Sequence, residues 1–231
     1  MLLRHALAKS INTVSVIITE RVTADRIAEL ARKMGIKSKL PSTNSIALGS
    51  GEVTPLEMTN AVATLAAGGK AAAPKFIEAI DGVATQASPA EQVIKPEVAY
   101  VVTNMMESVV KSGTGHLAKE LGVTIAGKTG TSNDARDVWF IGMTPDYVIG
   151  VWIGYDAPKA MGKETGGTIF GACAAAMSSS RVRTLFTRRD RYVSFVDSGG
   201  LSAVAEDTAT ATSARASEAR AKVTYPSRRL F

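Results

Sequence analysis

Residues able to do chemistry concentrate in two short runs. Gly127-Lys128-Thr129-Gly130-Thr131 places a cation beside two hydroxyls at alternate positions. On a strand, alternate residues share one face, so Thr129 and Thr131 would present their hydroxyls together. Lys128 supplies positive charge for a carboxylate, and Gly130 lets another backbone come close. An extended peptide lying along such a strand, its terminal carboxylate held there, suits this set. The plain alternative is a surface strand end, since a Lys-Thr-Gly tripeptide arises by chance in roughly one chain of this size in twenty. The second run is Ser10-Ile11-Asn12. A serine hydroxyl can relay a proton and an amide can hydrogen-bond a substrate backbone. The plain alternative for Ser10 is a helix N-cap.

Other chemistries are excluded by composition. Cys173 is the single cysteine and His5 and His116 are the two histidines. That removes an intramolecular disulfide framework and leaves too few soft ligands for a zinc centre, so neither metal nor cofactor is expected. No run reaches the roughly eighteen apolar residues of a membrane span, and charge interrupts the start too soon for a signal peptide.

The net charge of +6 is unevenly placed: residues 1–171 carry 17 basic against 16 acidic residues, and residues 172–231 carry 10 against 5. The second segment is rich in Arg, Ser, Ala and Thr and reads as a poorly ordered tail. Its arginines are scattered among acids with few aromatics, so no nucleic-acid partner is expected.

The elements that must position the two runs follow from periodicity. Residues 3–34 read as helices, with Lys9-Ser10-Ile11-Asn12 a polar break, Thr23 capping a further helix and Gly35 ending it. Thr54, Pro55 and Glu57 form a capping box at a helix start that Gly68-Gly69 stops. Phe76 to Ile80 reads as a short strand, and Pro96 opens a helix that Gly113 closes. The period then changes to two. Val123–Lys128, Asp137–Met143 and Tyr147–Gly154 read as strands, the last two joined by the turn Thr144-Pro145-Asp146 and therefore antiparallel. Helices followed by an antiparallel meander make the chain α+β.

With these runs in order, the chain resembles the transpeptidase domain of class A, bifunctional penicillin-binding proteins. The resemblance rests on Leu7-Ala8-Lys9-Ser10-Ile11-Asn12-Thr13, Ala47 to Met58, Ser112-Gly113-Thr114-Gly115 and Ala126 to Thr131. It continues through Asp137 to Gly142, Thr144-Pro145-Asp146, Gly150 to Asp156 and Glu164-Thr165-Gly166-Gly167, covering residues 1 to about 170. It implies the serine β-lactamase and penicillin-binding-protein fold, an antiparallel sheet flanked by helices. It also implies a peptidoglycan D,D-transpeptidase, which forms a serine acyl-enzyme from a D-alanyl-D-alanine stem peptide and cross-links it to a neighbouring amine. β-Lactams would acylate the same serine. By carry-over, Ser10 relays a proton and Asn12 contacts the substrate backbone. Lys128 holds the site electrostatically, and Thr129 and Thr131 bind the carboxylate beside Gly130. The Thr131 N–H would be half of an oxyanion hole. A full-length relative would sit at the periplasmic face of the inner membrane through an N-terminal anchor.

The family places its nucleophile in a Ser-x-x-Lys motif well upstream of Ser10, and nine residues precede Ser10 here. Ser108-Val109-Val110-Lys111 has the spacing but lies after the Ser-x-Asn element, and reads as a surface match; Ser42-Thr43-Asn44 reads as a loop match. The alternatives to a transpeptidase fragment are a catalytically dead remnant or a non-enzymatic ligand-binding fragment. A complete β-lactamase or D,D-carboxypeptidase is disfavoured by the missing nucleophile. The family's sheet also takes two strands from sequence before Met1, so Tyr147–Gly154 is expected to show an unpaired apolar edge and the chain to be poorly soluble or only partly ordered. A C-terminal helix is expected near Ile169.

Overall fold

The computed structural model describes residues 1–77, 79–121, 124–155, 157–162 and 165–167, and the strands Val182–Arg188, Val193–Asp197 and Arg228–Arg229. Five α-helices precede the main sheet: α1 (Leu3–Ala8), α2 (Asn12–Val22), α3 (Ala24–Lys33), α4 (Pro55–Ala66) and α5 (Pro96–Ser112). The sheet holds β1 (Ala126–Thr131), β2 (Asp137–Met143), β3 (Tyr147–Gly154), β4 (Val182–Arg188) and β5 (Val193–Asp197), side by side in chain order and antiparallel throughout. The architecture is α+β, a meander with helices against it. The expected helix near Ile169 lies outside the described residues.

Alternation along β2 builds the core on both faces. Trp139, Ile141 and Met143 pack with Met106 of α5, Val148 and Trp152, and α4 closes over them through Met58, Val62 and Leu65. Val138 and Phe140 point the other way, toward Val110, Ala118, Ile125 and Val151. Because every position of β2 is buried, this strand is fixed in register, and a one-residue slip would exchange the two faces. Trp152 donates its indole N–H to Asp137 Oδ1 at 3.0 Å, which satisfies a buried polar group beneath the helices. Gly150 lets α4 seat against β3, since a Cβ there would stand 1.9 Å from Thr59 Oγ1.

The capping box of α4 forms as the sequence indicates. Thr54 Oγ1 accepts the Glu57 N–H at 3.2 Å, and Glu57 Oε2 accepts the Thr54 N–H at 3.0 Å. Glu57 also takes the N–H groups of Lys37 and Ser38 and the Ser38 hydroxyl, at 2.9, 3.0 and 2.7 Å. Burial alone would raise its pKa; the hydrogen bonds from Ser38, Thr54 and Lys37 outweigh burial and hold it below the ordinary value.

Four sequence expectations are corrected. The first sheet strand is Ala126–Thr131: Thr124 and Ile125 of the expected Val123–Lys128 stand outside it, Val123 lies outside the described residues, and the strand runs on to Thr131 because pairing with β2 extends from Ala126 opposite Met143 to Thr131 opposite Val138. Phe76–Ile80 contributes only Ala79–Ile80, in a two-residue ribbon with Val83–Ala84. Thr23 sits between α2 and α3 but makes no side-chain cap bond. Tyr147–Gly154 has no open edge: β4 pairs with it from Tyr147 opposite Arg188 to Ile153 opposite Val182. With that edge covered, the reason for expecting poor solubility falls away.

Candidate functional site

Ser10 stands where α1 ends and α2 has not begun. The Ser10 N–H bonds Leu7 O at 3.1 Å and the Ile11 N–H bonds Ala6 O at 3.0 Å. These are the two bonds of a Schellman ending, with Ser10 at the left-handed position (φ 54°). Glycine is the usual residue there, because a Cβ costs about 1 kcal/mol in that conformation. The N-cap reading of Ser10 is thus replaced by a helix C-terminal one; Ile11 is the N-cap of α2. The serine in this glycine position has its hydroxyl engaged by Lys128. Ser10→Gly is expected to stabilise the fold by about 0.5–1 kcal/mol in urea denaturation, while deleting the group that Lys128 meets. A net loss of stability would show that the Lys128 contact outweighs the backbone strain.

That contact spans the fold. Lys128 Nζ donates to Ser10 Oγ at 2.9 Å and to Thr129 O at 2.7 Å. Burial pushes the Lys128 ammonium down to about 8. In register, Lys128 lies opposite Ile141 and on its face, while Thr129 and Thr131 lie opposite Phe140 and Val138 on the other. Among the described residues β1 is the last strand of the sheet on this side. The cation and the two hydroxyls therefore flank a free strand edge from its two faces.

A short loop after α5 ties both walls together. α1 is fastened along α5 by Arg4 Nη1 to Asn104 O at 2.8 Å and by Lys9 Nζ to Ser112 O at 2.8 Å. The Thr114 N–H then bonds Ala8 O at 3.1 Å. Thr114 Oγ1 lies 2.6 Å from Thr129 Oγ1. On the far side, the Gly166 N–H donates to Thr131 Oγ1 at 3.0 Å. Gly166 must be glycine for this approach, because a Cβ would stand 2.4 Å from Trp139 O.

These groups line one cleft of about 1060 Å³, whose lining includes Lys9, Ser10, Asn12, Thr114, Lys128, Thr129 and Thr131 together with Ser45, Leu48, Ser50 and His116. That volume exceeds a drug-sized pocket and suits an extended peptide. The structure brings together Ser10, Asn12, Lys128, Thr129 and Thr131 of the residues singled out from sequence. Gly130 lies within β1 opposite Trp139 and does not line the cleft. The roles of Thr114 and Gly166 were not legible; their only signal was that Ser112–Gly115 and Thr165–Gly167 belong to the resemblance. Ser108 and Lys111 are elsewhere: Ser108 Oγ accepts from Arg4 at 3.2 Å and Lys111 pairs with Glu107 at 2.5 Å. Ser42 and Asn44 also lie off the cleft. No helix among the described residues is long and apolar enough to cross a membrane.

Residues 1–175 match the family model of the penicillin binding protein transpeptidase domain. Penicillin-binding protein 1A of Neisseria gonorrhoeae is 42% identical over 182 residues, covering 72% of this chain and 23% of that protein. The Penicillin-binding protein 1A of Aquifex aeolicus is 38% identical over 171 residues, with 72% and 23% covered. The chain thus spans about a quarter of the length of these curated relatives. Among solved structures, the D,D-transpeptidase domain of a peptidoglycan glycosyltransferase from Eggerthella lenta superposes with a TM-score of 0.52 at 23% identity, over 63% of this chain and 45% of that one. A chain assigned as a peptidoglycan glycosyltransferase from Atopobium parvulum gives 0.61 at 23% identity, over 76% and 50%. At this identity the two structures speak to the fold.

Proposed function

Because the chain belongs to the penicillin-binding protein transpeptidase domain family, we propose that it holds the carboxylate-binding and proton-relay half of a D,D-transpeptidase site. One observation carries the reading: Lys128 on β1 reaches Ser10 at 2.9 Å beside a free strand edge. A stem peptide ending in D-alanyl-D-alanine lies extended along β1, on the side where no neighbouring strand is described, as a further strand would. Its terminal carboxylate sits against Lys128, Thr129 and Thr131. Asn12, at the start of α2 and in the cleft, hydrogen-bonds the peptide backbone. The Thr131 N–H serves as one oxyanion donor.

No serine lining the cleft stands in the family's Ser-x-x-Lys pattern, so this reading assigns none of them as the nucleophile and needs a serine besides these groups. Its oxygen attacks the carbonyl between the two D-alanines, the terminal D-alanine leaves as the amine, and an ester to serine forms. An amine of a neighbouring stem peptide then takes the acyl group and frees the serine. Ser10, hydrogen-bonded to a lysine whose pKa burial brings to about 8, passes a proton toward the leaving amine. β-Lactams mimic the same peptide end and are taken by the same groups. The working protein acts in cell-wall synthesis at the outer side of the cytoplasmic membrane, a placement that rests on the family alone.

The test is an NMR titration with N-acetyl-D-Ala-D-Ala and with its C-terminal amide, beside labelled penicillin. The reading expects reversible binding that requires the free carboxylate, and no covalent label. Equal binding of acid and amide would remove the carboxylate site; a covalent penicillin adduct would place the nucleophile within this chain.

A further inference from the structure

We infer that Thr114 is a positioning residue that aims the Thr129 hydroxyl at the substrate carboxylate, an inference that rests on the carboxylate site proposed above. Thr129 is 7% exposed, so a protein partner has a large share in orienting its hydroxyl. A hydroxyl has one proton to give and two lone pairs to accept with. The partner of Thr129 Oγ1 is Thr114 Oγ1, at 2.6 Å, and in the free protein either can be the donor. When Thr129 gives its proton to a carboxylate, the contact survives in one direction only: Thr114 must donate to Thr129. The result is a chain running from the Thr114 O–H through the Thr129 O–H to the carboxylate. Each bond in such a chain polarises the next.

The placement of Thr114 is fixed by its backbone. Its N–H is held by Ala8 O at 3.1 Å, at the end of the helix that leads to Ser10. On either side the chain comes so close that no side chain fits. A Cβ on Gly113 would stand 2.2 Å from Ala8 O, and one on Gly167 would stand 2.4 Å from Thr114 O. Thr114 is therefore clamped between α1 and the 165–167 segment while its hydroxyl faces β1. Thr131 differs: its oxygen already accepts from the Gly166 N–H, which leaves its proton to give. The two threonines are thus oriented by separate partners, and only Thr129 depends on a second hydroxyl.

The experiment compares the wild-type chain, Thr114→Val and Thr114→Ser, titrated with N-acetyl-D-Ala-D-Ala and with its C-terminal amide. Thr114→Val keeps the shape and removes the hydroxyl. It is expected to weaken the acid roughly tenfold, the upper end for loss of one hydrogen bond between neutral groups, and to leave the amide unchanged. Thr114→Ser is expected to restore the acid to within about twofold. A merely structural role would lower both ligands together, and that result overturns the inference, as does an acid affinity unmoved in Thr114→Val or not restored by serine. If the wild-type chain itself does not prefer acid over amide, the carboxylate site falls and this inference with it. A wild-type preference that Thr114→Val retains sinks the inference alone.

Discussion

Lys128→Met is expected to cost a hundredfold or more in affinity for a D-alanyl-D-alanine carboxylate and, at the same time, to stabilise the fold. The first effect is the loss of a charge-assisted partner in a partly desolvated cleft, of order 2–5 kcal/mol. The second follows from burial, which depresses the Lys128 pKa to about 8. The unfolded chain holds the lysine proton up to about 10.5. Between those values the unfolded state carries a proton that the folded state has released, so stability rises with pH across this window. Below about pH 8 the full penalty of burying the cation is present. Methionine keeps the length of the side chain without the charge, so it removes both the penalty and the slope. Urea denaturation at pH 7 and pH 10 measures this: the wild-type chain gains stability at the higher pH and the variant does not. The expected gain at pH 7 is about 1–3 kcal/mol, because the bonds to Ser10 and Thr129 O are lost as well. A less stable variant at pH 7 would mean that those two bonds outweigh desolvation.

Much of this site was legible in the sequence for definite reasons. Thr129 and Thr131 stand two apart on a strand, and register with β2 puts them on one face and Lys128 on the other, as that period requires. The capping box at Thr54 and Glu57 is a local signal, closed by residues three apart. The helix from Pro96 to Ser112 also begins and ends where its proline and glycine indicate.

The conformation of Ser10 was hidden because a Schellman ending is recognised from glycine, and serine stands in that place. Thr114 was hidden for another reason. Its contact with Thr129 joins a loop to a strand fifteen positions on, and no spacing rule connects them. The start of β1 was misplaced because alternation through Thr124 and Ile125 runs ahead of Ala126, where pairing with β2 is seen. Val182–Arg188 was hidden by its pattern: two arginines and two threonines stand among Val182, Leu185 and Phe186 without strict alternation, so the run does not read as a strand.

Truncation after residue 171 is the change expected to damage the fold most. The two outer boundaries of β1–β3 are opposite in character. Among the described residues no strand pairs with the outer side of β1, which reads Ala-Gly-Lys-Thr-Gly-Thr, polar and glycine-rich, an edge fit to receive a peptide. β3 reads Tyr-Val-Ile-Gly-Val-Trp-Ile-Gly, with Val148, Val151 and Trp152 buried. Its outward backbone groups pair with β4 from Tyr147 to Ile153. Without residues 172–231 that edge becomes a flat apolar template for another copy of the chain, and the pairing of Arg228–Arg229 with Glu52–Val53 goes too. The 1–171 chain is expected to lose most of its soluble yield, and what remains soluble to melt broadly rather than cooperatively. Size-exclusion chromatography and thermal melting of the 1–171 and 1–231 chains, side by side, read both. A monomeric 1–171 chain with a sharp melt matching the longer one would show that β4 does not protect this edge. The poor solubility that the sequence suggests for the whole chain then belongs to neither form. If instead the short chain aggregates and the long one does not, the apolar edge is real and residues 182–188 are what cover it.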